Sequence, residues 1–465
     1  MLKNNIIERL DRRFFRYVRY IAYNFRRELV DGPPERRRFF FGRMTDAAAR
    51  LLHIDIITRA LFMATLRLSP AMRAQWPQRR WLWAIRGLES RAAFDAWLSS
   101  PAQPTERAPR IVIFGGGSIG DLFQITPILR AMRAKFPDGD IAFLHRSPAV
   151  KAILGNNPHI NSIGFANFSA AARLRDAVAR EGVADLLLEI ESGTYVAQYT
   201  RAPEALRAPS IAAVMPDAVF AQAAQALRDR RTRPDFRRAD GTFAWPPQWS
   251  HHHFLETLGA TTGLPIDRNS DLDFDIAPQD GQFAASVVAG HKVITVQNGV
   301  DDAVAKWAHV TGRQATKLMP MPIWREAVQQ LTSRGYYIVQ LGTRDDAPID
   351  GVSLDLRGKT TLRQAAAVIR HAVCHVGTEG GLVHLARAMK TRSVVLFGPT
   401  ATEFFGYPPN INLSAGNCHG CWQSARDWFI YCPRGFEQAP CMNAHRPEDV
   451  VAAVERICAH PTPGL

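Results

Sequence analysis

Long apolar runs are missing from this chain of 465 residues: no stretch of about 18 uncharged apolar residues occurs, so no membrane-spanning helix is expected. The opening segment, Met1-Leu-Lys-Asn-Asn-Ile-Ile-Glu-Arg-Leu-Asp11, also lacks the apolar core of a secretion signal, which makes the cytoplasm the expected compartment. Cysteine is scarce, with six residues, and in that compartment thiols or metal ligands are expected before disulfides. Acidic residues are in deficit, 43 Asp and Glu against 57 Lys and Arg, for a formal net charge of +14.

The deficit is local. Residues 1–108 hold 21 Lys and Arg against 10 Asp and Glu, interleaved with aromatic residues such as Phe14, Phe15, Tyr17, Tyr20, Phe39, Phe40, Phe41, Trp76, Trp81, Trp83 and Trp97. Two readings stay open for this helical extension. Basic residues among aromatics suit an anionic membrane surface, with the protein peripheral on its inner face; a packing element against the body or another subunit, as in an oligomer, accounts for them equally. No nucleic-acid module accompanies the charge, so nucleic acid is not an expected partner. The proline-bearing run Ser99–Pro109 is a linker by composition.

From Arg110 onward short apolar strands alternate with amphipathic helices. Strands are expected at 111–114, 141–144, 185–190 and 211–215, and a polar, proline-bearing loop over 228–250. A second series is expected at 292–296, 336–341, 372–376 and 393–397, with a final helix from Pro447 to about Ala459. Alternation of this kind implies α/β domains built on parallel sheets covered on both faces. The expected division is an extension over 1–108, one Rossmann-like domain over 109–285 and a second over 286–465 that faces it across a cleft. Turn residues close the second series of strands, at Asn298-Gly299, Gly342-Thr343, Gly377-Thr378 and Gly398-Pro399, and such ends are where open sheets bind ligands.

The densest signal is Ile111-Val-Ile-Phe-Gly-Gly-Gly-Ser-Ile-Gly-Asp121. Gly115, Gly117 and Gly120 spell the GxGxxG of dinucleotide sites, but that fingerprint needs an acid closing the next strand. Here the strand ends in His145-Arg146, which leaves an NADP-dependent oxidoreductase as an alternative. Asp121 directly after the last glycine would crowd a phosphate. It is read as a general base facing an acceptor hydroxyl, with an N-terminal helix charge as the other reading. Gly117, Ser118 and Gly120 form the acceptor-side loop.

A second segment, Val376-Gly-Thr-Glu-Gly-Gly-Leu-Val-His384, runs from a buried strand through a turn into a helix whose free N–H groups form an anion site. Gly380 and Gly381 permit close approach of a phosphate, Glu379 suits sugar hydroxyls, and His384, one turn on, is either a ligand or a structural histidine. Lys317, just before a proline-started helix, supplies a point charge for a pyrophosphate or is a solvated surface lysine. Cys418, Cys421, Cys432 and Cys441 share one loop, 418–441, with C-x2-C-x10-C-x8-C spacing; a structural zinc or iron, two disulfides, or unligated thiols each fit it.

Together these segments resemble the heptosyltransferase-type family 9 glycosyltransferases: the Gly-rich opening with Asp121 and Thr126-Pro-Ile-Leu-Arg130, Asn157-Pro-His-Ile160, Lys317, Val376 to Ala386, and Leu396-Phe-Gly398-Pro-Thr400. The resemblance implies a GT-B fold and inverting transfer from ADP-heptose or a similar nucleotide sugar to a hydroxyl of a lipopolysaccharide, another glycan or a protein. It implies Asp121 as general base, Lys317 on the diphosphate, and Thr378, Glu379, Gly380, Gly381, His384, Gly398 and Thr400 along the donor site. No catalytic metal is required by such a mechanism, and Asp301-Asp302 and Asp345-Asp346 read as turn pairs. Two departures stand out. Glu379-Gly-Gly replaces the family's Asp-Ser-Gly or Asp-Thr-Gly, and the basic extension lies outside the family pattern. The cysteine cluster resembles the iron-binding finger of a subset that modifies proteins. A non-catalytic, membrane-associated assembly protein is the alternative from another class.

Overall fold

The computed structural model describes residues 85–86, 108–145, 150–166, 168–191, 193–233, 242, 252–300, 314–415, 418–425 and 428–460. Nearly all of the basic extension, most of the expected 228–250 loop and the pair Asp301-Asp302 lie outside them.

Two six-stranded sheets carry the fold. The first has strand order β1-β4-β3-β2-β5-β6, with β1 Ile85–Arg86, β2 Arg110–Gly115, β3 Asp140–His145, β4 Ser162–Ala166, β5 Leu186–Glu191 and β6 Val196–Arg201. Ile111, Val112 and Ile113 in β2 are fully buried, which is why the strand reads as an unbroken apolar run: a central parallel strand is covered on both faces. The registers Ile111↔Ile141 and Ile111↔Leu186 place it at the centre. Both edges depart from the expected parallel sheet, since β1 and β6 pair antiparallel with β4 and β5.

The expected strand over 211–215 is instead a helix, Pro209–Val214, followed by another, Asp217–Arg231. Proline at the first position of each end of the run explains this. Pro209 starts the helix where its missing N–H costs nothing, and Pro216 precedes the next. The second helix runs through Arg231, so residues 228–231 are helical and not part of the expected loop.

The second sheet has order β12-β11-β10-β7-β8-β9 and is parallel at every pairing, with β7 Val293–Gln297, β8 Tyr337–Gln340, β9 Leu354–Asp355, β10 Cys374–Thr378, β11 Ser393–Phe397 and β12 Ile411–Ser414. The last helix spans Pro447–Ala459, as its sequence signals.

The segment 263–277 leads from one sheet's layers to the other's and is tied to both. Arg130 of the first domain pairs with Asp273 and donates to the Asp271 carbonyl at 2.7 Å, while Lys390 of the second pairs with Asp271 and Arg363 lies 3.7 Å from Asp275. Asp271, Asp273 and Asp275 have the Asp-x-Asp spacing of metal-dependent sugar transferases. In the fold their carboxylates serve these ion pairs. Asp346 is a turn carboxylate, accepting from Thr343 N–H at 2.9 Å and from its hydroxyl at 3.0 Å.

Candidate active site

The carboxyl end of β2 leads through Gly117, at φ +128°, into helix α1, Ile119–Gln124. A Cβ at Gly117 would run into the Asp121 side chain, so a residue without one is required there for two reasons at once. Ser118 caps the helix and Asp121 stands at its third position. Oδ2 of Asp121 accepts from the Ser118 N–H at 2.6 Å and its hydroxyl at 2.9 Å. This is the cap reading realised in part, and it puts a carboxylate where a dinucleotide loop would hold phosphate. The other oxygen, Oδ1, accepts from the Tyr195 hydroxyl at 2.7 Å. Tyr195 carries no sequence signal beyond the preceding Gly193.

On the facing side, β10 is buried along its whole length and gives way at Glu379-Gly380 to helix α2, Gly381–Ala388. The two glycine-led helix starts meet. A Cβ on Gly120 would lie 3.1 Å from His384 Cδ2 and 3.5 Å from the Gly381 Cα. Thus the two segments singled out in the sequence, more than 250 positions apart, come into direct contact. Gln124 crosses the same boundary, its amide 2.9 Å from His384 Nε2.

A buried polar chain runs behind this contact. Lys317 Nζ sits 2.5 Å from Glu379 Oε2, Glu379 Oε1 lies 3.6 Å from His384 Nε2, and His384 Nδ1 is 2.7 Å from the Tyr407 hydroxyl. Burial pushes the Glu379 carboxyl up, but the Lys317 ammonium and His384 outweigh it and hold it down at about 2. Burial pushes the Tyr407 phenol well above its ordinary range, which keeps its proton in place. Lys317, expected on a diphosphate, is therefore committed to Glu379 here. His384 is buried and held by Gln124 and Tyr407 where the two segments meet.

The remaining expected residues divide. Thr378 is buried and its hydroxyl donates weakly to the Gly299 carbonyl at 3.4 Å. Thr400, 1% exposed at the end of β11, has a hydroxyl with no protein partner. Gly398 is a packing position: a Cβ there would run into Met442 and come within 3.1 Å of Cys441 Sγ.

The four loop cysteines are all free thiols. Burial pushes Cys421 up to about 12, and Cys441, Cys432 and Cys418 add to it, so the four gather in one region. They do not surround one point, however: among the described residues no group of three or more His, Cys, Asp or Glu side chains is disposed to hold a metal ion. The zinc or iron expectation has the donors but, among the described residues, not the array. Among the same residues, no helix is long and apolar enough to cross a membrane.

Comparison with known proteins gives this geometry a context. The family model for glycosyltransferase family 9 (heptosyltransferase) matches residues 251–425. The chain is 23% identical over 306 residues to lipopolysaccharide heptosyltransferase 3 of Escherichia coli (strain K12), covering 62% of this chain and 81% of that protein. It is 25% identical over 100 residues to lipooligosaccharide heptosyltransferase 2 of Haemophilus influenzae (strain ATCC 51907 / DSM 11121 / KW20 / Rd), covering 19% of this chain and 29% of that one. In fold it is similar to the crystal structure of a glycosyl transferase family 9 protein from Veillonella parvula DSM 2008, at a TM-score of 0.50 and 14% identity, covering 76% of this chain and 98% of that chain. Two facing α/β domains of GT-B type, with the matched region spanning Lys317, Glu379 and His384, make this chain similar to the heptosyltransferases of glycosyltransferase family 9.

Proposed function

We propose that this protein transfers a heptose-like sugar, with inversion, from ADP-heptose or a closely similar nucleotide sugar to a hydroxyl of a lipopolysaccharide or other glycan acceptor. The observation that carries the reading is the apposition of the Asp121 loop and the Gly381 helix start across the domain boundary. One side offers a carboxylate to take a proton; the other offers unpaired N–H groups to an anion.

In this reading the acceptor oxygen attacks C1 of the sugar as Asp121 takes its proton. The C1–O bond to the diphosphate breaks on the opposite face, and the nucleoside diphosphate leaves with the electron pair. Charge developing on the leaving oxygen is met by the N-terminus of α2 and by Lys317. Lys317 reaches that charge by loosening its contact with Glu379, whose carboxylate is then available to sugar hydroxyls and to His384. The domain division at about 285 and the roles of Thr378 and Thr400 along the donor belong to the same proposal.

Calorimetric titration with ADP tests the donor side. The protein is expected to bind ADP, and Gly381→Val, which places a branched side chain against Gly120 and the helix terminus, is expected to weaken binding at least about tenfold. Equal affinity in the two proteins would move the donor site elsewhere.

A further inference from the structure

Tyr195 lies in the turn between β5 and β6, at φ +54°, a conformation rare for a bulky residue, and is 7% exposed. A conformation of this kind persists where the surroundings over-determine it, and such residues cluster at functional sites. The surroundings here are aromatic and come from both domains. The Tyr195 ring centroid is 5.3 Å from Phe254 of the first domain, and 5.5, 5.6 and 6.1 Å from Phe404, Phe405 and Trp422 of the second. Trp422 belongs to the cysteine-rich loop, and its backbone N–H donates to the Pro399 carbonyl at 2.7 Å. The one polar atom of the Tyr195 side chain is aimed at Asp121 Oδ1, 2.7 Å away.

Resting on the reading of Asp121 as base, we infer that Tyr195 is a positioning residue for it: the hydroxyl fixes one carboxylate oxygen, and a ring cage closed only when the two domains meet fixes the hydroxyl. Ser118 holds the other oxygen, so the carboxylate plane is set from both sides and its remaining lone pairs are left for the acceptor proton. The titratable groups facing Tyr195 are Asp121, Glu379 and Tyr407; burial and the nearby Asp121 charge keep the phenol protonated and so a donor throughout the working range. The cysteine-rich loop thereby acquires a part in the reaction through Trp422, without touching substrate.

Tyr195→Phe keeps the ring and removes the donor. With aspartate labelled at Cγ with carbon-13, the Asp121 resonance, assigned by its loss in Asp121→Asn, is followed through an acid titration. A carboxylate that loses a hydrogen-bond donor holds its proton more tightly, so the midpoint is expected to rise by about half to one pH unit in Tyr195→Phe. Trp422→Ala, which opens the cage, is expected to move it the same way. Release of ADP from ADP-heptose with heptose-deficient lipopolysaccharide is expected to fall about tenfold in kcat while ADP affinity stays as in the wild type. An unchanged midpoint in both variants overturns the inference, whatever happens to thermal stability. A midpoint that moves in a protein unable to release ADP from ADP-heptose upholds the positioning and removes the base reading instead.

Discussion

Asp121→Asn is expected to lower turnover by about 10²-fold or more while leaving ADP affinity within about twofold of the wild type. The amide keeps an oxygen that accepts from Tyr195 or from Ser118, but not a carboxylate for both, so a stability loss of about 1 kcal/mol accompanies the change. What the amide cannot do is take a proton. In the proposed reading ADP binds on the opposite side of the domain boundary, at the Gly381 helix start, which is why affinity and turnover are expected to separate. Near-normal kcat in the variant would remove the base and leave Asp121 as the capping residue that its contact with Ser118 already makes it.

The second large effect belongs to Lys317→Ala. Glu379 is 6% exposed and its charge is balanced chiefly by Lys317, whose own side chain is 21% exposed. Removing the lysine leaves a buried carboxylate uncompensated, at a cost of about 3 kcal/mol, the lower end of the range for broken buried pairs because one partner reaches solvent. Replacing both, Lys317→Met with Glu379→Gln, is expected to restore most of that loss. The pair also sets an acid limit. The Glu379 carboxyl is held at about 2 in the fold against 4.5 ordinarily, so it contributes stability above pH 4.5 that is lost as pH falls through about 2. The contribution is on the order of 3 kcal/mol. Urea unfolding of wild type and Lys317→Ala between pH 2 and 7 reads both effects: the gap between the two proteins closes in acid if the pair works this way, and stays constant if the lysine merely packs.

Much of this was legible in the chain. Strand β2 and the helix Pro447–Ala459 stand out because a continuous β-branched run and a proline-led amphipathic repeat are local signals. Gly381 reads as permitting close approach of a phosphate and Gly117 and Gly120 as an acceptor-side loop; in the fold Gly120 and Gly381 also approach each other. The error at 211–215 has a local cause, since five apolar residues carry no period and only the flanking prolines separate helix from strand. Strand β6 was missed because Val196-Ala-Gln-Tyr-Thr-Arg201 is an edge strand with polar residues facing outward. Tyr195 was beyond reach for a different reason: its partners, Asp121, Phe254 and Trp422, come from three distant segments that only the folded chain brings together. The pairing of Lys317 with Glu379 is of the same kind, two residues assigned separately to diphosphate and sugar that prove to hold each other.

The most direct measurement is of the product. The protein is incubated with ADP-heptose and heptose-deficient lipopolysaccharide, and the new linkage is examined by NMR. Heptose joined to the acceptor with the anomeric configuration opposite to that of the donor, formed by the wild type and not by Asp121→Asn, is the expected result. A product that retains the donor's configuration, or one formed equally well by the Asn variant, would contradict direct displacement assisted by Asp121.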